Sequence, residues 1–182
     1  MAHKLAVYAE RAGVASDLIV DAYTAAVSVR IAALQDVFHR EMLHPARTVL
    51  ILLEDTDCRS PDVLAAAAFG ETEFPELRVP NDVIRTHFGK TISEMVRAVP
   101  QPHECGEELA EQLVIANDDV ALIAVAERLD HVRHLHFRDA SLWRPFFVQI
   151  MDTYLPFSER ANGMLARRLS RWATAFEARY LH

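Results

Sequence analysis

The chain is poor in the residues that build most phosphate, redox and zinc motifs. Five glycines in 182 residues leave no Gly-rich phosphate loop, whose backbone amides need closely spaced glycines to reach the anion. The two cysteines, Cys58 and Cys105, form no Cys-x-x-Cys pair. They argue against a disulfide framework or a thiolate zinc site, and for a reducing compartment. No apolar run reaches the length a bilayer demands. The opening "MAHKLAVYAERAG" carries charges inside its apolar stretch, unlike a secretory leader. A cytoplasmic protein with no membrane partner is therefore expected. With 19 basic against 26 acidic residues the net charge is −7, which argues against non-specific binding to nucleic acid. Strand-type alternation, internal repeats and low-complexity linkers are all missing.

What is present is helical periodicity. In "SDLIVDAYTAAVSVRIAALQDVFHREM" the apolar positions Leu18, Ile19, Tyr23, Ala26, Val27, Ile31, Leu34 and Phe38 form one helical stripe. "SPDVLAAAAFG" opens with Ser60 as a cap, Pro61 in the first turn and Asp62 at the positive helix end, and closes on Gly70. Asn81 to Gly89 reads as a short helix, followed by another that stops before Pro100. "GEELAEQLVIA", "DDVALIAVAERLDHVRHL", "SLWRPFFVQIMDTYLP" and "SERANGMLARRLSRWATAFEARYL" continue the pattern. The length suits one domain over residues 1–182. The expectation is an all-α bundle of about eight or nine helices.

Three segments carry a resemblance. "HPARTVLILLEDTDCRSPDVLAAAAFGETE", "NDVIRTHFGKTISEMVRAV" and "VALIAVAERLDHVRHL" are together similar in order and spacing to the HD-domain hydrolases of the RelA/SpoT group, and in size to the small Mesh-type alarmone hydrolases. The similarity is strongest over residues 40–155. It implies an HD-domain-like fold and a divalent metal, usually manganese, that polarises water for attack on a pyrophosphate.

Carried over position by position, the implied site is largely rewritten. The first ligand is present as His44, but the family's His-Asp pair falls on Gly70 and Glu71. Its Glu-Asp pair falls on Phe74 and Pro75, neither of which can transfer a proton. Its last aspartate is Glu127, and the asparagine four residues on is His131. The resemblance therefore implies an inactive or non-canonical member that binds a nucleotide, another phosphorylated small molecule or a protein partner. The alternative is a metal-dependent phosphohydrolase with manganese, zinc or iron on His44, Glu71, Glu127 and His131. Spacing allows it, because Glu127, His131 and His134 recur at i, i+4 and i+7 on one helix face. Glu71 and Glu127 are then the catalytic candidates, and Arg47 and Arg128 the candidates for ligand phosphates. If no metal is bound, His44 is expected to be a cation held between the carboxylates of Glu71 and Glu127. The bland explanation of the histidines is a solvated helix face. The arginines of the last helix, Arg160, Arg167, Arg168, Arg171 and Arg179, read as the polar edge of an amphipathic helix.

Overall fold

The computed structural model describes residues 1–34, 36, 38–70, 72, 74–101 and 106–181. Glu71 and Cys105, both singled out above, lie outside the described residues. Among those residues the chain is helical, with no strand. The α-helices run α1 Ala2–Arg11, α2 Asp17–Leu34, α3 His44–Asp55, α4 Pro61–Phe69, α5 Asn81–Phe88, α6 Lys90–Ala98, α7 Gly106–Ile115, α8 Asp118–Arg133, α9 Trp143–Gln149, α10 Leu155–Ala161 and α11 Gly163–Tyr180. A π turn, Ile150–Tyr154, joins α9 and α10 into one rod. That makes ten rods among the described residues, where the periodicity predicts eight or nine.

Two differences from the expectation have local causes. The stripe is expected to carry the helix as far as Phe38, yet α2 ends at Leu34. Beyond it, Asp36 accepts from the Phe38 amide and His39 from the Glu41 amide, side-chain bonds that compete with helix continuation. The last helix was expected to be unbroken from Ser158. Asn162 interrupts it, its side-chain oxygen accepting from the amides of Met164 and Leu165 to cap α11 afresh. The α4 boundaries are as expected. Ser60 accepts from the Val63 amide, and Gly70 ends the helix at φ 61°, where a side chain would be strained.

Helix α4 is the hub. Ala65, Ala66, Ala67 and Ala68 are all buried, and α2, α3, α6 and α8 pack on it. Methyl side chains on every face let four helices approach closely. The same arrangement sets α3 against α8, so that His44 at the start of α3 meets the last turn of α8. A second, smaller core lies toward the C-terminus, where Leu135, Phe147, Ala173 and Phe176 are buried beneath Trp143, Phe146, Trp172 and Tyr180.

Candidate functional site

The end of α4 sits between a buried charged centre and an open pocket. In the centre, His44 and Asp130 are fully buried, and the His44 Nδ1 lies 2.8 Å from Asp130 Oδ2. Arg47 Nε donates to both oxygens of the same carboxylate, at 2.7 and 3.0 Å. The His134 Nδ1 lies 2.8 Å from the Asp130 carbonyl. Burial pushes the Asp130 acid up, but donation from His44 and Arg47 outweighs it and holds the carboxyl well below its usual range. With the carboxylate ionised, the His44 Nδ1 carries the hydrogen and donates. Burial and the neighbouring His131 hold the His44 imidazole below its ordinary value despite Asp130 and Glu41. His44 is thus bonded to Asp130 and held toward its neutral form, which disfavours the expected cation; of the two carboxylates expected beside it, Glu71 lies outside the described residues.

Around this pair lie further buried charges. Arg30 of α2 is fully buried. Its Nε donates to the Glu41 carbonyl at 3.1 Å, and its Nη1 to the carbonyls of Ala26 at 3.1 Å and Leu77 at 3.3 Å. Burial draws the Arg30 guanidinium down, while Glu41 and Glu127 support its charge. Burial pushes the Glu41 acid up, but the positive charge about it, with Arg30 and Arg40 the permanent cations, outweighs it and draws it down. Glu127 is 1% exposed. Gly70 closes the arrangement: a Cβ there would lie 3.1 Å from His44 Cδ2, 3.4 Å from His44 Nε2 and 3.6 Å from Arg30 Nη2. Neither His44 Nε2 nor Arg30 Nη2 finds a hydrogen-bond partner among the described residues.

The described residues do not by themselves assemble a site for the implied metal. The His44 Nδ1–H bond to Asp130 is one that metal-binding histidines also make, and it leaves Nε2 as the available nitrogen. The His131 ring stacks on His44 with centroids 4.2 Å apart and planes 10° from parallel, so their in-plane lone pairs do not converge on one ion. The remaining His44 nitrogen lies on the same face of Gly70 as the Arg30 guanidinium. Two like unit charges about 4 Å apart repel by about 4 kcal/mol at an effective dielectric of about 20, and a dication doubles that. Among the described residues no three His, Cys, Asp or Glu side chains form a group able to hold an ion. Glu71, the other expected ligand, lies outside them.

On the open side, a pocket of about 400 Å³ is lined by Gly70 and Glu127 with the apolar Ala66, Phe69, Ile84 and Val96, and by Arg78, Asn81, Arg97 and Gln101. Arg78 is fixed by donation from its Nη2 to the Thr72 carbonyl at 3.0 Å, and Arg97 is exposed.

The expected residues therefore divide. His44 and His131 are in contact, and Glu127 joins them near Arg30 while also lining the pocket. The two expected phosphate contacts lie elsewhere: Arg47 on Asp130, and Arg128 beside Tyr154, with Nη2 3.1 Å from its hydroxyl and the guanidinium 4.7 Å from the ring centre. Neither lines the pocket. Asp130, Arg30, Arg78 and Arg97 were not anticipated. Asp130 had a signal, because it stands at i+3 from Glu127 on the face that carries His131 and His134. Arg30 had one too, four residues beyond Ala26 on the buried stripe. No protein-family model matches the chain, and no curated protein matches it.

Proposed function

We propose that this protein is a non-catalytic, HD-domain-like helical protein whose pocket at the end of α4 binds a nucleotide or another phosphorylated small molecule. The observation that carries the proposal is the pocket's division of chemistry. Ala66, Phe69, Ile84 and Val96 offer an apolar wall for a base or similar flat group, while Arg78 and Arg97 offer two cations to a phosphate. A volume of about 400 Å³ suits a ligand of mononucleotide size.

The residues that would have to perform metal-dependent hydrolysis support a binding role instead. Phe74 and Pro75 stand where the hydrolases that the sequence resembles have an acid pair. General acid–base help is worth about 10²–10⁴-fold, and neither Phe74 nor Pro75 can supply it.

Thermal melts with millimolar guanosine and adenosine diphosphates, with the unphosphorylated nucleosides as controls, test the binding. A diphosphate at about a hundred times its Kd stabilises by about 2.7 kcal/mol. The Arg78→Ala, Arg97→Ala double variant is expected to lose that shift. A shift that survives in the double variant, or none with either diphosphate, overturns the pocket assignment. Separately, guanosine tetraphosphate with excess manganese is expected to release no pyrophosphate. Turnover there refutes the non-catalytic role.

A further inference from the structure

We infer that Arg30 is a tethered cation that serves the buried centre in place of a divalent ion, and that it ties this centre to the rim of the pocket. The inference rests on the centre itself and does not require the pocket to bind a nucleotide.

The buried acids need positive charge, because an uncompensated carboxylate in a low-dielectric interior is far costlier than a neutral group. Asp130 has its own partners in Arg47 and the His44 N–H. Glu41 and Glu127 are 3% and 1% exposed; Arg40 lies 3.6 Å from Glu41 at the surface side, and Arg30 is the fully buried arginine whose charge both acids support. Three carbonyl acceptors from three segments fix its position: Ala26 on its own helix, Glu41 before α3, and Leu77 in the turn after α4. Its free Nη2 points at the bare face of Gly70 beside the uncommitted His44 Nε2. A residue other than glycine at 70 would press on the His44 ring; glycine lets the guanidinium and the imidazole share that face.

The bond to Leu77 has a further consequence. Leu77 immediately precedes Arg78, whose side chain lines the pocket. The cation of the centre therefore also holds the backbone that presents a pocket cation. A metal ion could neutralise the acids, but it could not donate hydrogen bonds to three carbonyls.

The test is charge balance together with indifference to metal. Wild-type protein, treated with chelator and then supplied with manganese or zinc, is expected to keep one melting temperature in all three states. Arg30→Met is expected to destabilise strongly, and adding Glu41→Gln or Glu127→Gln to it is expected to recover part of the loss. A role in packing or hydrogen bonding alone predicts no such recovery, since the second change removes no strain. Arg30→Lys, which keeps the charge on a shorter list of donors, is expected to melt between wild type and Arg30→Met. If Arg30→Met does not fold, the comparison passes to Arg30→Lys, alone and with Glu41→Gln. There, retained charge predicts that the second change lowers stability further. A chelator-sensitive wild type, or a second change with no effect of the expected sign, overturns the inference.

Discussion

The two cores of this protein hold helices together by different physics. Around α3 and α8 buried ions are set into an apolar core, with Asp130 between His44 and Arg47, and Arg30 supported by Glu41 and Glu127. Between α9 and α11 the contact is made by rings. Trp143 meets Phe176 edge-on with centroids 5.9 Å apart and Tyr180 edge-on at 5.1 Å, and Phe147 lies tilted against Trp172 at 6.2 Å. A ring cluster degrades gradually, because each lost carbon removes a little area and a little dispersion. An ionic centre does not. Removing one member strands another in a low dielectric, although replacing the whole set with apolar groups can be neutral.

The largest expected effect tests that contrast. Asp130→Ala leaves Arg47 and the buried His44 N–H without their acceptor and should cost about 3–5 kcal/mol. Phe176→Ala should cost about 3 kcal/mol, with Phe176→Leu falling between it and wild type. Urea unfolding of the three variants measures both. Equal losses for Asp130→Ala and Phe176→Leu would remove the distinction between the cores.

Acid should separate the cores next. Asp130 has its pKa held well below the ordinary value in the fold, so its contribution is present above the ordinary carboxylate value of about 4 and is lost as pH falls below it. His44 acts in the same direction. Its folded value is lowered, so below the ordinary imidazole value of about 6.5 the unfolded chain takes up a proton that the fold refuses. Stability should therefore decline from about pH 6.5 downward, and more steeply below about pH 4. In Asp130→Asn the steep lower part should shrink. Phe176→Leu, which touches no ionisable group of the centre, should shift the whole curve without changing its shape. A pH profile of unfolding free energy for these two variants decides the point.

Gly70→Ala should have a smaller effect, about 1–3 kcal/mol, felt only in the ionic core. The φ of 61° disfavours a side chain, and the new Cβ would press on the His44 ring. Paired with His44→Ala, which removes that ring, the substitution should cost less than it does alone. A double-mutant cycle showing simple additivity would mean that the backbone angle, and not the close approach, demands the glycine.

The two cores were unequally legible in the sequence. Fold class and most helix boundaries follow from periodicity and caps, as at Ser60 and Gly70, because those signals act within one turn of chain. That His44 and His131 meet could be expected from the ordered segments. The partners of His44 could not, because Asp130 occupies a position that spacing alone leaves neutral, and the choice between Glu127 and Asp130 depends on a rotation of α8 fixed by packing. Arg30 was hidden for another reason. A single arginine on an apolar stripe usually reaches solvent, and only the convergence of the Ala26, Glu41 and Leu77 carbonyls keeps it inside. The break at Asn162 was missed because helix propensity on both sides outweighs one capping residue in any window average.

The smallest effect on folding is expected at the pocket rim, where charge serves neither core. Arg97 lies on the last turn of α6, is exposed and lines the pocket beside Arg78. An exposed arginine outside a buried network contributes little to stability, so Arg97→Ala should change the unfolding free energy by no more than about 0.5 kcal/mol in either direction. The same change should remove a charge-assisted contact to a ligand phosphate, worth about 1.5–3 kcal/mol, and so weaken diphosphate binding by roughly 10–100-fold. Asp130→Asn should do the reverse, lowering stability and leaving the affinity of the protein that remains folded little changed. Calorimetric titration below the melting temperature of each variant, set beside its unfolding curve, separates the two quantities. If Arg97→Ala lowers stability as much as Asp130→Asn does, the rim is part of the charged core, and the division between charges that hold the fold and charges that meet a ligand fails.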